Sequence, residues 1–387
     1  MAGKTIESEA KLSVWEATSI IIGHSIGGGI MAVPFLAARN SLGSILLILL
    51  AAFVCNVLLH FMIAELSYNC GGLQMVKCLE QFLFVGKAKK ALTWTAFVLF
   101  GFSVIINISG YIIGAAEAIV ALVPMPLWLA ETLFFVLAGT VVLYGLKAVG
   151  IFEKYTVLMI YGIVAVLAAA VCFVPWTPLP QATESANAAL ALFGMAMFAM
   201  AANQSVIQAV KGLGGDAKKI RVSIVAGIGA DALLVLVLTL AALVGSQGQV
   251  TELALLGLSK GVGSWAVWIG SLFTLLALVT TFWSSTLNLR DIVHEQFTAL
   301  DLKKSWLIAA APSFLIAVTG MGTFLSFTRI VSAISVIGGL LLIISYGRSR
   351  KQAGESPICG RWGALPFQLL ILAASIVATV GSLVSIN

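Results

Sequence analysis

The chain has 387 residues, of which 60% are hydrophobic and 10% charged, with a formal net charge of +6. Soluble globular domains carry about 25% charged residues, so this composition excludes a water-soluble fold. With a mean hydropathy of +1.07 it points to one polytopic membrane domain over 1–387. The excess positive charge is not a nucleic-acid footprint, because the basic residues are spread over connectors between apolar stretches rather than gathered on one face.

A membrane-crossing helix needs about 20 mostly apolar residues. By that measure eleven spans are expected, near 13–37, 42–68, 92–122, 126–146, 155–175, 186–210, 222–245, 263–289, 305–319, 323–346 and 363–385. No segment alternates long enough for a membrane barrel, so the expected class is all-α. The segment before the first span has no cleavable signal pattern, and that span is expected to remain as a helix. Placing the N-terminus in the cytoplasm puts 19 of the 22 Lys and Arg on that side, leaving Arg39 and Lys260 outside and Arg329 within a span. Trp15, Trp94, Trp128, Trp176, Trp265, Trp306 and Trp362 lie near span ends, where aromatic belts form. The five cysteines (Cys55, Cys70, Cys78, Cys172 and Cys359) have no CxxC spacing and read as reduced structural residues.

Polar groups inside spans are costly and mark pathways. Span 1 holds Gly23-His24-Ser25-Ile26-Gly27-Gly28-Gly29, followed by Pro34. Such a run predicts an unwound helix whose free N–H groups face a cavity and offer themselves to an anion such as a carboxylate. The plainer alternative is close helix packing by small residues. Span 3 carries Ser103, Asn107, Gly110, Tyr111, Gly114 and Glu117 on one stripe. Tyr111 is either a pocket residue or an ordinary interior tyrosine. Glu117 needs a partner or a proton, and Arg329 in span 10, at a similar depth, is the expected counter-ion. Span 8 has a stripe of Ala277, Thr280, Thr281, Ser284 and Asn288. Its hydroxyls either complete an oxygen cage for a small cation or bond their own helix carbonyls. Span 6 is rich in Met, Phe and small residues through Phe193-Gly194-Met195 and Phe198, then ends in Asn203-Gln204-Ser205. It reads as an adaptable pocket wall or as a lipid-facing helix.

Spans 1 and 6 both begin with a small-residue-rich, polar helix, and the offset of five spans means that any repeat of that length is inverted in the membrane. The stretch Gly23-His24-Ser25-Ile26-Gly27-Gly28-Gly29-Ile30-Met31-Ala32-Val33-Pro34 resembles the first-helix motif of bacterial aromatic amino acid permeases and of the wider amino acid/auxin permease family. Gly110-Tyr111 with Glu117, and Phe198-Ala199-Met200 before Asn203-Gln204, are similar to that family's third and sixth helices.

The resemblance covers most of the chain and implies a LeuT-type 5+5 inverted repeat with broken helices 1 and 6. Helices 1–5 would span about 13–175, helices 6–10 about 186–346, and an extra helix 11 about 363–385. It implies that a substrate carboxylate meets the amides of Gly27, Gly28 and Gly29, and that its ammonium meets carbonyls near Gly23 and Phe193-Gly194. His24, Ser25, Tyr111, Met195, Phe198 and Ser284 complete the expected substrate site. Where members of this fold couple to sodium, the positions that match its ligands are Gly23, Ile26, Ala277, Thr280 and Thr281. His24 departs from the usual residue at its position and is a proton-coupling candidate, with Glu117 and Arg329 as further coupling or gate candidates. Span 5 has only Lys154, at its edge, where proton-coupled relatives place a mid-span Lys.

The expected function is a secondary symporter of the bacterial inner membrane. It would move a neutral amino acid, the aromatic ones among the candidates, with Na⁺ or H⁺ and without a cofactor. An exchanger or a transporter-like sensor is the alternative. A channel would need a repeated pore loop or charge rings, and an enzyme would need a catalytic cluster; neither is visible in the sequence. The expected partners are the amino acid and the bilayer, with no obligatory protein partner evident.

Overall fold

The computed structural model describes residues 11–27, 29–175, 185–247, 250, 254–322 and 324–384; side chains of 254–257, 324–326 and 328–337 are outside that description. The described elements are helical. Each of the eleven expected spans coincides with a helix or a broken pair of helices. Seven of these helices are long and apolar enough to cross a membrane, or eight if the bent first pair is one span. Length and hydropathy therefore support seven or eight of the eleven, and leave α6 (Leu127–Leu143) and the later α13 (Leu302–Val318) and α14 (Phe324–Ala353) below that measure or partly undescribed.

The first span is two helices, α1 (Val14–Ser25) and α2 (Gly29–Ala37), bent by 60°. Ser13 starts α1 through a capping box with Glu16: the Glu16 amide donates to Ser13 Oγ and the Ser13 amide to the Glu16 carboxylate. The sixth span is likewise divided, into α8 (Ala186–Ala199) and α9 (Asn203–Gly212). The two broken spans touch each other, α2 against α8 and α1 against α9.

Around them stand α3 (Leu42–Asn69), α5 (Lys89–Leu122), α7 (Leu146–Val171), α10 (Ala217–Gly245) and α12 (Trp265–Gln296). The longest two, α5 and α12, pack along each other. Outside the spans lie two short helices that hydropathy did not foretell, α4 (Met75–Phe82) and α11 (Ala254–Val262). The last span, α15 (Leu365–Leu383), lies against α8. Apolar side chains such as Leu137 (69% exposed) and Leu315 (62%) line the outside, as a lipid-facing surface requires.

Close approach at glycines sets the positions of α1. Gly150 of α7 faces Leu12, Glu16 and Ile20, and Gly227 of α10 faces Ile21 and the Thr18 carbonyl. With no Cβ at either place, both helices press against α1 from opposite partners. The end of the bundle that carries the start of α1 is tied shut. Lys147 pairs with Glu16 at 2.6 Å, Lys211 with Asp291 at 3.2 Å, and the Leu12 amide donates to the Gly212 carbonyl at 2.8 Å. At the same end Asn288 donates to Gln74 at 2.6 Å, and the Gln74 amide donates to Glu295.

Candidate functional site

The break of span 1 follows from its sequence. Helix α1 ends at Ser25 with Ile26 as its cap, and α2 starts at Gly29. A break leaves N–H and C=O groups without helical partners, and at membrane depth these persist only where protein or a lined cavity receives them. Three elements receive this break. Thr281 of α12 lies against Gly27, and Thr280 lies against Gly23. The Phe198 ring and Ala199 backbone of α8 lie against Gly29. The carboxyl of Glu153, from α7, lies against Gly23.

Glu153 is completely buried. Its Oε1 accepts a hydrogen bond from Ser284 Oγ at 3.2 Å, while Oε2, the atom over Gly23, has no hydrogen-bond partner. An ionised carboxylate without a counter-charge in such a place costs several kcal/mol, so the group is suited to hold a proton or to face a cation. Both hydroxyls on α12 are engaged with their own helix: Thr280 and Thr281 each donate to the Ala277 carbonyl at 2.8 Å. Their oxygens keep free lone pairs for a cation. Of the residues expected to hold sodium, Thr280 lies against Gly23 and Thr281 against Gly27, with Ile26 buried at the end of α1 and Ala277 buried one turn earlier along α12. Sequence reasoning missed Glu153. The apolar window of span 5 opens after Lys154, but the helix starts nine residues earlier than that window, at Leu146, and carries Glu153 inward.

The second break is anchored by residues that the sequence reading also passed over. His60 of α3 is wholly buried. Its Nε2 accepts from the Ala202 amide at 2.8 Å, and its Nδ1 contacts the Asn56 carbonyl at 2.5 Å. This pairing assigns the proton to Nδ1. Asn56 in turn donates to the Met197 carbonyl at 3.3 Å. Together Asn56 and His60 serve the backbone groups that the α8–α9 break sets free. An isolated histidine and asparagine within an apolar span were the signal.

The remaining expected residues divide. His24 is half-buried beside His60, and its Nδ1 has no partner. Ser25 donates to the Ile21 and Ile22 carbonyls. Tyr111 is buried on α5, its hydroxyl toward Asn107 and Ser285. Phe198 is 42% exposed next to Gly29.

Phe193, Gly194 and Met195 stand inside unbroken α8, six or so residues before its end, so they are not at a break as expected. Gly194 instead lets α15 approach, facing the Ala378 carbonyl and the Ser382 amide. Glu117 is exposed near Glu131 of α6. Gly28 and the Arg329 side chain lie outside the described residues.

Two broken spans in contact with each other, α2 against α8 and α1 against α9, are the arrangement from which membrane transporters build a site. The chain belongs to the tryptophan/tyrosine permease family, whose model matches residues 10–377. Its fold is also similar to that of MHP1, a nucleobase-cation-symport-1 family transporter, solved in a closed conformation with bromovinylhydantoin bound. The two share 11% identity and a TM-score of 0.65, over 100% of this chain and 96% of the other. Among curated proteins none matches the sequence. The expected LeuT-type fold, the transporter class and the non-enzymatic character all stand.

Proposed function

We propose that this permease carries an aromatic amino acid, of the tryptophan and tyrosine kind, into a bacterial cell by symport with a cation, Na⁺ or H⁺, across the inner membrane. The family supports the substrate class, and the distribution of Lys and Arg supports a cytoplasmic N-terminus. The observation that carries the coupling is the Glu153 carboxyl, held against Gly23 and beside Thr280 where the first helix breaks.

In this reading the substrate carboxylate meets amides at the break between Gly27 and Gly29, and Phe198 and Tyr111 border its ring. The cation neutralises Glu153 next to Gly23, Thr280 and Thr281. Charge compensation links the two events. With the cation bound, α1 and α12 are drawn together at the break and the substrate-loaded site closes. The tied end, at Glu16–Lys147 and Lys211–Asp291, then opens to the cytoplasm. A cation shifts the cycle only through its different affinity for the two conformations, and a buried carboxyl that gains or loses water provides that difference.

The test is uptake of labelled tryptophan, tyrosine, phenylalanine and leucine by proteoliposomes under separate sodium and proton gradients. Concentrative uptake of the aromatic amino acids under one of them is the expected result. Binding without uptake under either gradient would turn the reading to a sensor, and uptake only against internal amino acid to an exchanger.

A further inference from the structure

Asp231 is the other buried acid against span 1, and the reading above does not use it. It stands at the midpoint of α10, about 21 Å from either end at 1.5 Å per residue. It is completely buried, and neither carboxyl oxygen has a well-formed hydrogen bond, Ser25 Oγ being the donor that faces it. One turn earlier Gly227 lets Ile21 approach, so Asp231, four residues on, faces Ser25, four residues beyond Ile21. Ser25 is the last residue of α1 and spends its hydroxyl on the Ile21 and Ile22 carbonyls. On the far side stands Tyr161 of α7, whose hydroxyl also has no partner.

This surrounding is hostile to an anion. The carbonyl end of α1 presents partial negative charge. Tyr161 is the titratable group that faces Asp231 from α7. Helix α3 carries Cys55 and His60, and α1 carries Glu16 and His24; His60 is bound to Asn56 and Ala202, and Glu16 is paired with Lys147. Lys211 of α9 is paired with Asp291. The bases of α10 itself, Lys218, Lys219 and Arg221, lie in its first turns, and Lys260 belongs to α11, which meets the opposite end of α10 through Leu258 and Gly261 at Gly245. Helix α2 brings no titratable side chain.

We propose that Asp231 is a proton-carrying site of the transport cycle, distinct from Glu153. The proposal rests on the transport reading above. In the closed arrangement the carboxyl keeps its proton. When the end of α1 moves away from α10 and water enters, the O–H bond breaks and the proton passes to water on the side then open, leaving a carboxylate. The emptied carrier returns as the hydrated carboxylate and takes up its next proton from the outer side, because the loaded state closes only when α1 packs against the neutral form. Tyr161, whose hydroxyl has no partner in the closed arrangement, is the group of α7 that a released carboxylate could engage once α1 moves.

The experiment uses the full chain in proteoliposomes with labelled tryptophan as probe. Accumulation driven by an imposed pH gradient, counterflow exchange without a gradient, and proton entry reported by an entrapped pH dye are measured for wild type and Asp231→Asn. Gradient-driven accumulation and tryptophan-dependent proton entry are expected to fall by roughly tenfold or more, with counterflow held within about twofold, and the external-pH profile to flatten.

Wild-type accumulation and pH profile in Asp231→Asn would overturn the proposal while leaving symport standing. Wild-type protein that carries no tryptophan overturns both readings, and wild-type uptake driven by sodium but indifferent to the pH gradient overturns this one alone. Should Asp231→Asn lose counterflow too, Asp231→Glu decides. Recovered gradient-driven accumulation with a displaced pH profile supports the site, and no recovery overturns it.

Discussion

The Glu153 carboxyl of α7 fills the space that a side chain on Gly23 of α1 would need, with Thr280 of α12 closing the same space from a third helix. Three helices thus meet at one glycine just before the first span breaks. That meeting brings a buried acid, two hydroxyl-bearing residues and free backbone groups to one place in a membrane protein.

Gly23→Ala should therefore disturb coupling more than folding. The added methyl must displace the end of the Glu153 side chain, and Thr280 limits where it can go. We expect transport to fall by about tenfold or more, equivalent to ~1.4 kcal/mol or more. The melting temperature of the purified protein should change by only a few degrees. A variant with full concentrative uptake would refute the close contact.

Glu153→Gln removes the charge and keeps the shape. Counterflow should persist while gradient-driven accumulation is lost, because exchange does not require net cation movement. Thr281→Ala should weaken cation dependence while leaving maximal uptake in saturating cation nearly unchanged. Equal loss of both quantities, or of neither, would argue against a cation at this place. Initial rates against cation concentration decide it.

At the other side of the break the crowding is aromatic. A Cβ on Gly29 would meet the Phe198 ring. Gly29→Ala should lower tryptophan uptake, and Gly29→Ala with Phe198→Ala should recover part of it, since the second change removes the obstacle. Contacting residues of this kind couple by about 0.5–3 kcal/mol. Strictly additive losses in the double-mutant cycle would show that the two do not touch in the working protein.

His60→Ala leaves the Ala202 amide without its acceptor at a break that has no helical partner to offer. A stability loss of about 1–3 kcal/mol is expected, read as a lower melting temperature in detergent, with His60→Gln less affected because its amide oxygen can accept. Equal stability of His60→Ala and wild type would mean that water reaches this amide.

Glu65 makes a different kind of anchor, outside the transport site. It is wholly buried at the end of α3 and accepts from Ser356 Oγ at 2.7 Å, the Ile358 amide at 3.1 Å, the Cys359 amide at 2.8 Å and the Tyr346 hydroxyl at 3.0 Å. Burial, and then the Glu65 charge, push the Cys359 thiol above its ordinary range. Raising a thiol's pKa lowers the thiolate fraction at neutral pH, and the thiolate is the reactive form. Cys359 should alkylate slowly in wild type and faster in Glu65→Gln, where the segment before α15 loosens and the negative neighbour is gone. Exposed Cys172 reports the unhindered rate. Equal Cys359 labelling in both proteins would contradict the anchor.

Much of this arrangement was readable in the chain. The apolar stretches marked where helices lie, because a membrane span is set by local composition and needs no distant partner. The run from Gly23 to Gly29 announced the first break in the same local way. The second break, which the family resemblance set near Phe193-Gly194, lies further along the chain. Gly194 serves contact with α15, and the helix runs on to Ala199. Its real end depends on Asn56 and His60, more than 130 residues away in sequence.

The acids divide in the same manner. Glu117 stood out on a polar stripe, yet it is exposed near Glu131. Neither Glu153, next to Lys154 at the edge of span 5, nor Asp231 within an apolar run was singled out by the sequence. What the sequence by itself determined was the membrane class, the helical spans and the first unwound segment, all consequences of hydropathy and glycine content. Only the tertiary structure decided that α7 and α10 close on α1 through Gly150 and Gly227, and so which carboxyls face it. The reason is physical: a charge's cost and use depend on what surrounds it, and its neighbours come from helices that the chain order keeps apart.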